Sequence, residues 1–235
     1  MNERRELWPD GPTYAGDRFG TDSLALADFA RTPGARRGCD LGCGSGILML
    51  LLAREFPSAE MDGIEVRPDA VRSCRENLRA NDLTERCRVH EADLRRSPLP
   101  KESMDLVVAN PPYFPAGSGA VSADGSRAAM RTESAAVGEL CFEAARLLRT
   151  GGDFCLVHRT ERLVEVFSAL TAAGLEPKRL RFIAASPEHA PQLFLCRARK
   201  GARSGLALEA ALFQFGADGK ETAEYRRICH WEGKP

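Results

Sequence analysis

The chain has 235 residues, 43% of them hydrophobic and 28% charged, a balance that excludes a mainly disordered protein. Lysine plus arginine and aspartate plus glutamate both number 33, so no uniform basic field is available to hold nucleic acid without sequence preference. The sequence has no run of 18 apolar residues and no apolar segment typical of a signal peptide near its start. We therefore expect a cytoplasmic protein that does not span a membrane.

Residues 1–20 are rich in glycine, proline and charge, and we expect them to form an N-terminal tail or cap ahead of one folded domain over residues 21–235. A short helix follows, for which Thr21 or Asp22 is the expected N-cap. The eight cysteines contain no C-x-x-C spacing, so we expect core thiols and no metal site.

Beyond the first helix, predicted strands and helices alternate along the chain. The predicted strands are 37–41, 59–66, 87–92, 104–109, 154–158, 178–184 and 192–197, with a weaker extended stretch over 206–215. The predicted helices are 47–56, 68–80, 132–149 and 161–173. Each predicted helix has ten or more residues, which is enough for a crossover between parallel strands. The pattern therefore predicts an α/β fold with an open, mostly parallel sheet and helices on both faces.

A glycine-rich turn follows the first predicted strand, in the segment Asp40-Leu41-Gly42-Cys43-Gly44-Ser45-Gly46. Glycines allow a ligand to approach the backbone closely, and the helix that follows presents free N–H groups. Glu65 closes the second strand, where its carboxylate could accept hydrogen bonds from both hydroxyls of a ribose. Asp93, just past the third strand, could accept from an adenine amino group.

These three acids fall at the carboxyl ends of successive strands, the edge at which open α/β sheets bind ligands. The pattern therefore predicts a nucleoside-binding site. A structural glycine turn with helix-capping acids is the plainer alternative. A nicotinamide dinucleotide site is another, although Ile47 stands where its G-x-G-x-x-G pattern has the last glycine.

The D-L-G-C-G-S-G segment resembles the first motif of class I S-adenosylmethionine-dependent methyltransferases. That resemblance implies a Rossmann-like, doubly wound sheet of seven strands with an antiparallel last strand. It also implies that S-adenosyl-L-methionine is the cofactor, with Asp40 facing its methionine end, Glu65 its ribose and Asp93 its adenine. The implied cofactor site includes further residues: Phe19, Asp22, Leu41, Gly42, Gly44, Gly46, Val66, Leu94 and Asn110.

The tetrapeptide Asn110-Pro111-Pro112-Tyr113 follows the fourth predicted strand. The Asn110 carboxamide oxygen and the Pro111 carbonyl can both accept from a planar NH2 group, and Tyr113 can stack on that group. The tetrapeptide resembles the N-P-P-Y motif of amino methyltransferases, which act on adenine, cytosine or glutamine nitrogens. A proline-rich turn is the alternative. His158 closes the fifth predicted strand and is expected to be a satisfied structural histidine rather than a proton acceptor.

Nearly the whole chain resembles the bacterial tRNA1(Val) adenine-N6 methyltransferase family, through segments 16–22, 110–114, 131–133, 147–152, 157–158, 177–180 and 219–224. This resemblance implies methylation of an adenine amine in the anticodon loop of tRNA. Two basic clusters could contact RNA phosphates or simply be solvated: Arg127 with Arg131, and a C-terminal stretch of Lys178, Arg179, Arg181, Arg197, Arg199, Lys200 and Arg203.

Other acceptor classes remain open at this point. A protein glutamine methyltransferase acting on a release factor or ribosomal protein is the main alternative, although such enzymes usually carry a helical domain ahead of the catalytic fold and only about 35 residues precede the first predicted strand here. An rRNA amino methyltransferase and a non-catalytic cofactor-binding RNA module are further alternatives.

Overall fold

The computed structural model describes residues 5–6, 12–16, 19–111 and 137–229. Its strands are β1 Arg5–Glu6, β2 Thr13–Tyr14, β3 Arg37–Leu41, β4 Glu60–Glu65, β5 Cys87–Glu91, β6 Met104–Ala109, β7 Leu148–Arg159, β8 Leu175–Ala184, β9 Leu193–Lys200, β10 Ala207–Leu208 and β11 Leu212–Phe213. Its α-helices are α1 Thr21–Phe29, α2 Ile47–Glu55, α3 Pro68–Ala80, α4 over 137–147, α5 Leu163–Ala172 and α6 Ala223–Cys229. Two short 3-10 helices cover Leu94–Arg96 and Thr160–Arg162.

One sheet of nine strands runs through the described residues in the order β10-β8-β9-β7-β6-β3-β4-β5, with β11 also paired to β8. Strands β5, β4, β3, β6 and β7 are mutually parallel, and β9 is antiparallel to both β7 and β8. This confirms the mostly parallel sheet of seven main strands with an antiparallel last one. The extended stretch predicted at 206–215 supplies the two extra strands, β10 and β11, at the β8 edge.

Helices cover both faces of the sheet. One apolar layer contains the buried residues of α1, α2, α3 and α6, and the opposite layer contains those of α4 and α5. The run Ile47–Ala53 of α2 is buried on every side, which explains its uninterrupted apolar sequence. Within the described residues, no helix combines the length and the apolar character needed to cross a bilayer.

The order of the strands creates a crevice at one point of the sheet edge. Strand β3 leads through α2 to its neighbour β4 on one side, whereas β6, on the other side of β3, leads on to β7. The crossovers therefore diverge between β3 and β6. In open α/β sheets this switch point, outside the carboxyl ends of the strands, is where ligands bind.

Two local predictions were wrong. The described part of α4 ends at residue 147, and β7 begins at once with Leu148, so Gly151 and Gly152 lie inside a strand rather than ending the helix. A register shift against β6 and a positive φ of 83° at Gly151 allow the strand to take up these residues. The N-cap of α1 is Gly20, not Thr21 or Asp22, because the Asp22 carboxylate is engaged elsewhere. Residues 132–136 of the predicted helix lie outside the described residues.

A buried arginine of β9 ties the C-terminal end of α1 to the sheet. Arg197 is 6% exposed, and its Nη2 donates to the carbonyl oxygens of Phe29 at 2.5 Å and Arg31 at 2.8 Å. Its Nη1 lies 3.6 Å from Oδ2 of Asp153. The two carboxylate oxygens of Asp153 also accept one hydrogen bond each from Arg199. Carbonyls at a helix end have no partner within the helix, so Arg197 satisfies them from outside.

We predict that Arg197→Leu destabilises the fold more than Arg199→Leu. Removing Arg197 leaves two buried carbonyls unsatisfied and weakens a buried ion pair, a loss that we expect to be about 3 kcal/mol. Arg199 has a half-exposed side chain and, among the described residues, contacts no carbonyl of α1; its loss removes two hydrogen bonds to the buried Asp153 carboxylate, for which we expect a smaller cost of about 1–2 kcal/mol. Urea unfolding of both variants measures the difference, and equal losses would contradict the assigned role of Arg197.

Candidate active site

A pocket of about 180 Å³ open to water lies at the switch point between β3 and β6. Its lining comes from the segment before α1, the first turn of α1, the glycine loop with the start of α2, and the residue after β6. The lining residues are Tyr14, Phe19, Gly20, Asp22, Ser23, Asp40, Gly42, Cys43, Gly44, Ser45, Ile47, Leu48 and Asn110. Six of the predicted cofactor residues therefore meet at one pocket: Phe19, Asp22, Asp40, Gly42, Gly44 and Asn110.

Asp40 contributes a buried carboxyl group to this pocket. Its side chain is 1% exposed, and neither carboxyl oxygen has a hydrogen-bond partner among the described residues. Burial, with a smaller contribution from the nearby Glu65 carboxylate, raises the pKa of Asp40 to about 8. A buried acceptor group without a donor is costly unless a ligand supplies one. Asp40 is therefore prepared for a cationic or hydrogen-bond-donating ligand.

The glycine loop holds the backbone open beside Asp40. Gly42, Gly44 and Gly46 all have positive φ angles, of 76°, 53° and 88°. At Gly46, the N-cap of α2, a Cβ atom would also lie 2.6 Å from the Sγ atom of Cys74, so a side chain is excluded twice over. Gly46 and Leu41 thus shape the loop from outside the pocket lining, Leu41 by packing in the core at 1% exposure.

Glu65 organises the loop from the neighbouring strand. Its Oε2 accepts from the backbone N–H of Gly44 and its Oε1 from that of Arg67, both at 2.9 Å. Each carboxylate oxygen has a second lone pair, which remains compatible with the predicted contact to ribose hydroxyls. Val66 beside it is 62% exposed, and neither Glu65 nor Val66 belongs to the pocket lining.

Asp93 and Leu94 lie farther along the same edge. Asp93 caps the short 3-10 helix that begins at Leu94, and both its oxygens accept from the Arg95 side chain. These hydrogen bonds from Arg95 lower the pKa of Asp93 to about 2. The carboxylate is thus already engaged within the chain, and an adenine amino group would have to share it with Arg95. Neither residue belongs to the pocket lining.

Asn110 enters the pocket from the end of β6, the strand next to β3. Its Nδ2 donates to Oδ2 of Asp22 at 3.1 Å and to Oγ of Ser23 at 3.0 Å, in the first turn of α1. Pro111 follows at the edge of the described residues, half-buried and without a contribution to the lining. Pro112 and Tyr113 lie outside the described residues, as do Arg127 and Arg131.

Tyr14 forms part of the pocket wall, which the sequence analysis did not predict. Its ring is 4% exposed and meets Phe19 edge-on, with ring centroids 5.4 Å apart. Asn77 of α3 holds the adjoining backbone: its Oδ1 accepts from the N–H of Ala15, and its Nδ2 donates to the carbonyls of Ala15 and Ser45. A polar residue on the apolar face of α3, beside Cys74 and Leu78, is the one signal that could have pointed to this contact.

His158 is buried at 2% exposure and does not line the pocket. Burial, with Arg162 and other nearby charges contributing less, lowers the pKa of His158 to about 4, so the ring is neutral at pH 7. Its Nδ1 accepts from the backbone N–H of Arg159 at 2.9 Å. These contacts support the structural role that the sequence favours.

The residues of the basic C-terminal stretch form ion pairs and hydrogen bonds with other residues of the chain. Arg179 pairs with Glu209, Arg181 with Glu224, and Lys200 with Glu102. Arg197 and Arg199 share Asp153, and Lys178 donates to the carbonyl oxygen of Arg203. Most of these positive charges are therefore compensated, which favours the structural interpretation of the cluster.

A family model described as the methyltransferase small domain matches residues 6–172. A tRNA1(Val) (adenine(37)-N6)-methyltransferase of Tolumonas auensis is 35% identical over 179 residues, covering 76% of this chain and 74% of the relative. The chain belongs to this methyltransferase family. The protein of the same name from Yersinia pestis (strain Pestoides F) is 33% identical over 142 residues, 60% of this chain and 57% of that relative.

Solved structures of methyltransferases share the fold of this family member. A predicted O-methyltransferase from Agrobacterium tumefaciens superposes with a TM-score of 0.73 at 22% identity, covering 88% of this chain and 95% of that chain. TrmN from Thermus thermophilus superposes with a TM-score of 0.59 at 22% identity, over 76% of this chain and 48% of that one. The chain is therefore an S-adenosylmethionine-dependent methyltransferase with a Rossmann-like fold.

The pocket residues fit this cofactor. The orphaned carboxyl group of Asp40 suits the cationic, hydrogen-bond-donating methionine end, and the positive-φ glycines leave room for its approach. Glu65 supplies acceptors at the loop's far side. Asn110 lines the same pocket, where a methyl group supplied by the cofactor would be within its surroundings.

We predict that S-adenosylmethionine affinity rises with pH between about 5.5 and 7.5 because of Asp40. The pKa of about 8 leaves Asp40 protonated in the free protein, so pairing with a cationic ligand requires loss of that proton. Asp40→Asn should bind at least roughly tenfold more weakly at pH 7.5, about 1.4 kcal/mol, and lose this pH dependence. Calorimetry across pH measures both effects, and parallel profiles for the two proteins would remove Asp40 from the site.

Proposed function

We propose that this protein methylates the exocyclic N6 amine of an adenine in the anticodon loop of a tRNA, in the cytoplasm. The observation that carries the proposal is the meeting of Asp40 and Asn110 in one pocket at the switch point of the sheet. Asp40 and the glycine loop supply the cofactor side of this pocket, and Asn110 supplies the acceptor side. The names of the relatives from Tolumonas and Yersinia support the same substrate class.

Asn110 and Pro111 provide the acceptors that an adenine amine requires. The lone pair of such an amine is delocalised into the ring, so the nitrogen is a weak nucleophile. Two acceptors, the carboxamide Oδ1 of Asn110 and the carbonyl of Pro111, can bind both of its hydrogens and favour a geometry in which the lone pair is directed at the methyl group. We assign to Tyr113 the stacking contact with the base and to Pro112 the restriction of this loop.

When bound, S-adenosylmethionine supplies an electrophilic methyl group on a sulfonium that leaves as a neutral thioether while the new N–C bond forms. The proton released from the nitrogen passes to water. The work of the chain is thus to align the amine with the S–C bond and to exclude other geometries. The rigid ends of β3 and β6, hydrogen-bonded to each other within the sheet, provide that alignment.

The acceptor base must leave its stack to reach this pocket, because the amine of a stacked and paired adenine is inaccessible. Unpaired loop nucleotides can be extruded at the lowest cost, which favours a loop of tRNA over duplex RNA or DNA.

The deciding experiment incubates the full chain with methyl-labelled S-adenosylmethionine and, separately, unmodified tRNA, rRNA, DNA or total protein. Nucleoside analysis is expected to place the label in N6-methyladenosine of tRNA. Label in glutamine of a protein, with none in RNA, would overturn the proposal in favour of a protein glutamine methyltransferase.

We further predict that Asn110→Ala lowers turnover by about 10²-fold, the usual cost of one preorganised polar contact to a reacting group. Cofactor affinity should change little, since the carboxamide is assigned to the acceptor amine. Single-turnover rates with saturating tRNA and calorimetric cofactor binding separate the two effects. Wild-type turnover in this variant would exclude the assigned role.

A further inference from the structure

Both hydrogens of the Asn110 side-chain amide are directed at the first turn of α1. Nδ2 donates to Oδ2 of Asp22 at 3.1 Å and to Oγ of Ser23 at 3.0 Å. An amide nitrogen carries two hydrogens, so these contacts account for its donor capacity. The carboxamide Oδ1, on the other branch of the planar group, is thereby turned away from α1.

Asp22 and Ser23 differ in which orientation of the Asn110 amide they allow. A serine hydroxyl can donate or accept, so Ser23 would tolerate either end of the amide, whereas a carboxylate can only accept. The nitrogen and oxygen ends of an amide have nearly the same shape, so packing alone does not distinguish the two orientations. The carboxylate of Asp22 is therefore the group that fixes which end of Asn110 faces α1.

We propose that Asp22 is a positioning residue that orients Asn110 so that its oxygen, rather than its nitrogen, is directed toward the methyl-accepting amine. This inference rests on the proposed function, in which that oxygen accepts from the amine of the substrate. In the reversed orientation the Asn110 NH2 group would face the substrate NH2 group, and two donors would meet. A pocket of unchanged shape would then no longer orient the substrate nitrogen.

Asp22 is itself held in place. Its Oδ1 accepts from the backbone N–H of Ser23 at 2.8 Å, and a carboxylate in the first turn of a helix is favoured by the helix dipole. The other end of α1 is anchored by Arg197. The carboxylate thus has one oxygen fixed by the helix and one presented to Asn110.

Because the two oxygens of Asp22 have different partners, an isosteric substitution of Asp22 tests which end of the Asn110 amide faces α1. In Asp22→Asn, the Ser23 N–H, which can only donate, would keep the amide oxygen of residue 22 at its side. The new NH2 group would then point at the NH2 group of Asn110 and drive it to reverse. In Asp22→Ala, nothing opposes the native orientation, which Ser23 can still accept.

We therefore expect Asp22→Asn to lose about 10²-fold in kcat at saturating cofactor and Asp22→Ala to lose distinctly less. A role in shape or folding alone gives the opposite order, since asparagine preserves the shape of aspartate. If Asp22→Ala is the more damaged variant, the proposal is wrong.

Asp69→Asn is the matched control. Asp69 occupies the second position of α3, as Asp22 does in α1, and it is exposed. The control therefore removes the same charge from the same place in a helix without touching Asn110. Its kcat should equal that of the wild type, and a loss comparable to that of Asp22→Asn would assign the effect to helix electrostatics instead.

Exchanging the two side chains gives a rescue test. In the double variant Asp22→Asn with Asn110→Asp, the NH2 group of residue 22 faces a carboxylate oxygen of residue 110, and the other oxygen of residue 110 can still accept from the substrate. We expect the double variant to recover roughly tenfold over Asp22→Asn alone. No recovery would contradict the complementarity on which the proposal depends.

A spectroscopic readout separates this inference from the proposed function. In ¹⁵N-labelled full-length protein, the side-chain NH2 signal of Asn110 is assigned by its absence in Asn110→Asp. Its protons should be protected from exchange in wild type and Asp69→Asn and exposed in Asp22→Asn. Protection retained in Asp22→Asn would overturn the inference even if tRNA is methylated. Lost protection together with no RNA methylation would instead overturn the proposed function alone.

Discussion

The buried carboxyl group of Asp40 is the constraint around which the pocket is built. Burying such a group without a hydrogen-bond donor costs free energy. The pairing of β3 with β4 and β6 offsets this cost. A side chain at the end of an exposed loop would turn toward solvent instead. Here the flanking strands prevent this, so the free protein keeps an unsatisfied group that a ligand can satisfy.

The other parts of the pocket keep the Asp40 carboxyl group away from bulk water and leave it accessible to a ligand. Three glycines at positive φ angles shape the glycine loop that follows the end of β3, and Glu65 holds the loop through the N–H of Gly44. The segment before α1 closes the remaining side with Tyr14 and Phe19, and Asn77 anchors it. Each of these contacts joins separate parts of the chain, and together they fix the walls of the pocket around the unsatisfied carboxyl group of Asp40.

Much of this arrangement was predictable because it is local. The strand–glycine turn–helix unit at 37–56 and the acids at successive strand ends are set by short-range chemistry and by the rule that parallel strands end together. The same reasoning placed Asn110 at the end of the fourth predicted strand, and the pairing of that strand, β6, with β3 brings Asn110 to the pocket. The family resemblance added Phe19 and Asp22, both of which line the pocket.

The parts that escaped prediction depend on partners distant in the sequence. The contact between Asn77 and Ala15 spans 62 residues, and the run of C-terminal basic residues looked free because its acidic partners, such as Asp153 and Glu102, lie elsewhere in the chain. Gly151 and Gly152 suggested a helix end, but pairing with β6 placed them in a strand. In each case tertiary pairing overrode a local signal.

The anchoring of α1 by Arg197 affects the order in which parts of the chain can fold during translation. The hydrogen bond from Arg197 to Phe29 joins residues 168 positions apart, and the ion pair from Arg227 to Asp28 spans 199. Contacts of such separation form late, because most of the chain must be synthesised before they can close. The glycine loop can assemble early with β3 and β4, whereas the helix that carries Asp22 receives its anchor only after β9 emerges. A nascent chain can therefore form the glycine loop before α1 is anchored, and the pocket is complete only when the C-terminal strands have joined the sheet.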